Sequence, residues 1–309
     1  MLTVLAFAGQ GALRGQNGAD LLDRHPELTA QAEDVLGHPL RPVLTAESGS
    51  TWRELSRVQP TLFVITRLAA LTAPDPSYLA GHSMGELTAL CHAGCIDFPT
   101  ALRLVHTRAR LISTCPVPGG MMAVTGIGVE ELTAVMATEG FADIDIANLN
   151  APDQTVLAGP TGSLRALGAV IRAEGVAKAT LIDAPNPGHS RYMADAAAGF
   201  AEVLATVTFA PPRIPVISNV TAQPHRLDRL PELLAQHLYR PVRWSESMVY
   251  LRSVGVSRLH QAGTGSLLPR LWTACTAEAE TGGPVTTLRS ERGESPYASS
   301  VQCGTPNAG

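Results

Sequence analysis

No stretch of this chain concentrates lysine and arginine, and with 23 basic against 27 acidic side chains its formal net charge is -4. That absence removes the electrostatic footprint expected of a nucleic-acid binder or of a protein that docks on an anionic membrane surface. No apolar run approaches the roughly 20 residues needed to span a bilayer, and the chain runs directly into Leu2-Thr3-Val4-Leu5-Ala6-Phe7 without a basic leader. The expectation is therefore a cytoplasmic protein with neither nucleic acid nor membrane as partner. Cysteine is scarce too: Cys91, Cys95, Cys115, Cys275 and Cys303 are odd in number and form neither a Cys-x-x-Cys pair nor metal-ligand spacing. Buried free thiols are expected rather than a metal centre or a disulfide framework. Internal repeats are also missing. What is present is a 309-residue chain with 45% hydrophobic content, enough for one large domain with an insertion or for two modest ones.

Residues 2 to 7 read as a buried strand that runs into the turn Gly9-Gln10-Gly11, where the backbone can approach a ligand closely. Two polar helical stretches follow, then a mostly apolar helix from Gln59 to Leu71. A short strand, Tyr78-Leu79-Ala80, leads into Gly81-His82-Ser83-Met84-Gly85, and a helix from Glu86 to His92 stops at Gly94. From Gly120 to Asp183 the rhythm changes. Strands at Met121 to Ile127, Asp143 to Ala147, Thr155 to Ala158 and Lys178 to Ile182, with helices at Val129 to Ala137 and Ser163 to Glu174, give the β-α-β-β-α-β order of a ferredoxin-like unit. The expected architecture is α/β: a hydrolase-like parallel-sheet body, 1–117 and 186–309, with a ferredoxin-like subdomain inserted at 118–185. A helix from Arg191 to Leu204, a strand at Val216 to Asn219, a helix ending near Tyr239 and a helix-strand pair through Leu259 complete the body. Beyond Thr281 the composition is that of a poorly ordered tail, apart from one strand at Val285 to Leu288.

Gly-x-Ser-x-Gly between a strand and a helix is a nucleophile elbow. Its two glycines let strand and helix approach, so the Ser83 hydroxyl projects from the turn and the Met84 amide can face a developing oxyanion. A serine hydroxyl needs a base, and nine histidines compete for that role. His92, His106 and His260 fall within regular elements, where packing is the usual reading. His189 stands in the turn Pro185-Asn186-Pro187-Gly188-His189 ahead of a helix; position favours it, but the residues alone leave the base open. The helix from Phe98 to Ser113, capped by Asp97, carries an apolar stripe of Ala101, Leu104, Val105 and Ile112. Arg108 lies inside that stripe. A buried guanidinium needs an anionic partner, and spacing alone makes an internal salt bridge and a substrate carboxylate equally good answers.

Taken in order, these motifs resemble the malonyl-CoA:acyl carrier protein transacylases and the acyltransferase domains of fatty acid and polyketide synthases. The resemblance runs from Phe7 to about Leu271 and rests on Phe7-Ala8-Gly9-Gln10-Gly11-Ala12, Gln59-Pro60, Gly81 to Glu86, Arg108-Ala109-Arg110-Leu111, Asn148 to Gln154, His189 with Met193, Pro241-Val242-Arg243-Trp244 and Gly263-Thr264-Gly265. It implies Ser83 as the acylated nucleophile, His189 as its base, Arg108 as the clamp on the malonyl carboxylate, and the Gln10 and Met84 amides as the oxyanion hole. It also implies that the main-chain carbonyl of residue 237 orients the base; this position, usually Gln in the family, is His237 here. A coenzyme A thioester and an acyl carrier protein are the implied partners, with malonyl-CoA a substrate and no cofactor.

Three other readings share some of these features. The transacylase subunit of malonate decarboxylase performs the same transfer onto a dedicated carrier, and the short segment between the Gln10 turn and Ser83 keeps it in view. A serine hydrolase of the α/β-hydrolase type shares the elbow but would take a late base, His260. A non-enzymatic carrier-binding subunit leaves the elbow unexplained.

Overall fold

The computed structural model describes residues 1–9, 18–45, 54–263 and 265–281. Gln10, Thr264 and the strand expected at Val285 to Leu288 lie outside the described residues. Strand β1 (Leu2–Phe7) is followed by α1 (Ala19–Arg24), α2 (Pro26–Leu36), α3 (Arg41–Thr45) and α4 (Leu55–Ala69), then β2 (Tyr78–Gly81), α5 (Gly85–His92) and α6 (Phe98–Ser113). Helix α4 starts four residues before the expected Gln59, so Pro60 sits inside it. A proline inside a helix costs a backbone hydrogen bond. Burial of Leu55 and Val58 against the core outweighs that loss.

Next come β3 (Gly119–Thr125), α7 (Val129–Thr138), β4 (Asp145–Ala151), β5 (Gln154–Pro160), α8 (Thr161–Glu174) and β6 (Lys178–Ile182). The remaining elements are α9 (Ala194–Leu204), β7 (Val216–Ile217), α10 (Leu230–Gln236), α11 (Trp244–Ser253), β8 (Val256–Gln261) and α12 (Leu267–Thr281). β7 is shorter than expected, and α12 has no counterpart among the expected elements.

The strands form two sheets. In the first, β7-β2-β1-β8, every pairing is parallel, and its strands are apolar because helices cover both faces. Phe7 pairs with Gly81 across β1 and β2, so the turns that leave these strands emerge side by side. In open parallel sheets that carboxyl edge is where ligands bind. The second sheet, β4-β5-β3-β6, is antiparallel throughout, which is the ferredoxin-like order expected of this segment. Its helices α7 and α8 bury Leu132, Leu164, Leu167 and Ile171 against Met122, Val124 and Leu157 in a core of its own.

A main-chain seam joins the two sheets. Leu149 N–H donates to the Val242 carbonyl at 2.9 Å and Val242 N–H to the Ala147 carbonyl at 2.8 Å, while Asp145 on β4 holds Arg191 through its guanidinium and its backbone N–H. A cavity of about 480 Å³ opens between the sheets, lined from the parallel side by Ser83 and Arg108 and from the antiparallel side by Met121, Asn150 and Val156.

Candidate active site

The elbow forms because nothing larger than hydrogen fits at its two glycines. A Cβ on Gly81 would stand 2.1 Å from the backbone of Gly85, and one on Gly85 would stand 2.2 Å from the Phe7 carbonyl oxygen. This compression turns the chain so sharply that Ser83 takes φ +53. A non-glycine residue in that region costs on the order of 1 kcal/mol or more, and the packed neighbours must hold it there. Asn219, just past the end of β7, does so directly: its Oδ1 accepts from the Ser83 N–H at 2.9 Å and its Nδ2 donates to the Gly81 carbonyl at 2.6 Å. Gly9 abuts the elbow from the β1 side, where a Cβ would stand 2.9 Å from the His82 carbonyl oxygen and 3.5 Å from the Ser83 Cβ.

Ser83 Oγ lies 2.7 Å from His189 Nε2. His189 is itself in the left-handed region, φ +58, and its N–H donates to the Leu238 carbonyl at 3.0 Å. The opposite ring nitrogen, Nδ1, is 2.8 Å from the His237 carbonyl oxygen. A carbonyl can only accept, so Nδ1 carries the proton and Nε2 presents a lone pair to the serine hydroxyl. Burial, reinforced by the charges of His237 and Arg108, holds the His189 pKa well below 6.5. At neutral pH the imidazole is therefore unprotonated and able to take a proton from Ser83.

Helix α6 delivers Arg108. Asp97 caps it by accepting from the Thr100 N–H at 2.7 Å, and its apolar face packs on α4 and α9. Arg108 on that face is 3% exposed. Its Nη1 donates to Gln59 Oε1 on α4 at 3.0 Å, and no carboxylate among the described residues lies within salt-bridge distance. Burial lowers its pKa to about 10, with Glu86 acting in the opposite direction. A buried guanidinium hydrogen-bonded to a neutral amide on the wall of a cavity is chemically able to pair with an anion that enters it.

Residues 4–255 match the acyl transferase domain. The chain belongs to the acyl transferase family. Polyketide biosynthesis protein PksE of Bacillus subtilis is 36% identical over 280 residues, 89% of this chain but 36% of that protein. The polyketide biosynthesis malonyl CoA-acyl carrier protein transacylase PksC of the same organism is 34% identical over 273 residues, 86% of this chain and 94% of its own length. The crystal structure of a malonyl CoA-acyl carrier protein transacylase from Burkholderia pseudomallei superposes with a TM-score of 0.85 at 34% identity, covering 92% of this chain and 99% of that one. The chain thus spans about a third of PksE and nearly the whole of PksC.

Within this acyl transferase the structure brings together Ser83, His189, Arg108, Met84 and the His237 carbonyl. Gln10 lies outside the described residues. His260, the base required by a hydrolase reading, is on β8, paired with Leu5 in the sheet, and is not among the residues that line the cavity. Sequence reasoning misses Asn219 and His225. Asn219 carries a usable signal, a polar residue two positions past an apolar strand, at the sheet edge where ligands bind.

Proposed function

We propose that this acyl transferase moves a malonyl group from malonyl-CoA to the phosphopantetheine-type thiol of an acyl carrier protein through a malonyl-serine ester. The observation that carries it is the 2.7 Å contact of Ser83 Oγ with a buried, neutral His189 in the same cavity as the buried Arg108 guanidinium. The names of PksC and of the Burkholderia enzyme support the same reaction, and they favour a carrier of biosynthesis over a malonate decarboxylase subunit.

Malonyl-CoA enters with its free carboxylate on Arg108 and its thioester carbonyl over Ser83. His189 Nε2 takes the hydroxyl proton as Oγ bonds to the carbonyl carbon. The Met84 amide, at the N-cap of α5 where N–H groups have no intrahelical partner, is the donor proposed for the oxyanion, with the amide of residue 10 as the second donor that the family resemblance implies. Such a donor contributes about 3 kcal/mol when measured by removal. The C–S bond breaks, CoA leaves with the proton from His189, and the carrier thiol repeats the steps in reverse. Oxygen and sulfur exchange one acyl group and one proton, so the balance of the reaction requires no redox group and no metal. The inserted unit, 118–185, supplies the wall opposite the nucleophile. No helix among the described residues is long and apolar enough to cross a membrane, and a cytoplasmic location suits both thioester partners.

Incubation with malonyl-CoA followed by intact-mass measurement tests the proposal. Wild-type protein gains one malonyl group, and Ser83→Ala gains none. A wild type without an adduct, or an adduct that survives Ser83→Ala, refutes it.

A further inference from the structure

Behind the two reacting groups lies a carboxylate that neither of them touches. Glu86 sits on α5 one turn beyond Ser83 and is 1% exposed. Its Oε1 accepts from the Asn219 N–H at 2.9 Å and is 2.8 Å from His225 Nε2. Its Oε2 is 2.5 Å from His237 Nδ1. Both histidines are buried as well. Two hydrogen bonds from the connection after β7 and one ion-pair contact from His237 after α10 therefore converge on one side chain, and only a carboxylate offers acceptors alone in every direction.

The contacts close a ring. Glu86 holds Asn219, whose side chain accepts from the Ser83 N–H and donates to the Gly81 carbonyl. Glu86 also holds the His237 side chain, and the carbonyl of that same residue accepts from His189 Nδ1. His189 returns to Ser83 Oγ. We propose that Glu86 is the positioning residue of this acyl transferase, setting the serine through Asn219 and the histidine through His237 so that the two meet at hydrogen-bond distance. The inference rests on the transfer reaction proposed above.

Two physical arguments support it. Burial pushes the Glu86 carboxyl upward, yet attraction to His237 and hydrogen bonds from His225 and His237 outweigh it and hold the group below the usual carboxylate range. The side chain is thus a fixed anion rather than a neutral filler, and its partners cannot rotate away without leaving a buried charge unpaired. Second, Ser83 and His189 both adopt left-handed backbone conformations, which persist only where surrounding contacts over-determine them. The ring through Glu86 ties down both strained residues at once.

The test compares Glu86→Gln, His237→Leu and His237→Gln with wild type in single-turnover acylation by malonyl-CoA, quenched and read by intact mass. Glu86→Gln keeps the volume but places N–H hydrogens against donors; the acylation rate at saturating substrate falls about 30- to 100-fold, the loss expected when reacting atoms are displaced by about an ångström. KM stays within about threefold, since Arg108 is untouched. His237→Leu keeps the orienting carbonyl and removes the donor to Glu86, and it slows acylation similarly. His237→Gln restores a donor and recovers about tenfold of the rate that His237→Leu loses.

An E86Q enzyme that acylates at the wild-type rate overturns the inference, as does a loss confined to KM or a His237→Gln no faster than His237→Leu. If Glu86→Gln does not fold, the two His237 variants decide it. A wild type that takes no malonyl refutes the transfer reaction itself, whereas an active wild type beside an equally active E86Q refutes only the positioning role.

Discussion

Replacing Arg108 by alanine should separate malonyl transfer from acyl transfer in general. The guanidinium is 3% exposed, and burial brings its pKa from 12.5 to about 10. At about 1.36 kcal/mol per pKa unit, the charged form is held at a cost of about 3 kcal/mol. An arriving carboxylate that makes two parallel hydrogen bonds offsets that cost, and an acetyl chain does not. Arg108→Ala should therefore lower kcat/KM for malonyl-CoA by about 100-fold, the equivalent of roughly 3 kcal/mol. Acetyl transfer should survive or rise, because the alanine removes a buried charge that the acetyl group cannot pair. The assay is a competition: equal concentrations of malonyl-CoA and acetyl-CoA in one tube, with the ratio of the two acyl-enzyme masses read for wild type and variant. The ratio should invert. A variant that loses both acyl groups equally would show that Arg108 supports the fold or the nucleophile and does not select the carboxylate.

Two further predictions concern stability. His82 is lowered to about 4 chiefly by burial, and His189 falls well below 6.5 for the same first reason. The unfolded chain takes protons on these rings near pH 6.5 while the folded chain does not, so stability declines as pH drops from 6.5 towards 4, by about 1.4 kcal/mol per pH unit for each ring. Urea midpoints at pH 7 and pH 5 should differ in that direction, and equal midpoints would contradict the burial of both rings. At the elbow, Gly85→Ala places a methyl group 2.2 Å from the Phe7 carbonyl oxygen. Backbone must move on both sides, which costs roughly 3 kcal/mol or more; a thermal melt that matches wild type would show that the elbow has room to spare.

Local patterns in the sequence are enough to place most elements. The Asp97 cap and apolar stripe define α6 to the residue, and Arg108 stands out because a charge interrupts that stripe. The ferredoxin-like order and β6 follow from alternation and turn residues alone. The misplacements share a cause: α4 runs through Pro60 and β4 extends to Ala151 because tertiary burial there exceeds local preference. Its place in a turn ahead of a helix favours His189 over the other eight histidines without deciding between them, and resemblance to a family fills that gap.

The sequence by itself determined the serine on its glycine-flanked turn, the interior arginine and the alternation of sheet types, since each depends on neighbours within about one or two helical turns. Only the tertiary structure decided which imidazole meets the serine, which carbonyl fixes its tautomer and where Glu86 sends its two oxygens. Those contacts join residues 48 to 151 positions apart. They exist because parallel strands bring distant chain segments to one sheet edge, an arrangement that no short-range periodicity encodes.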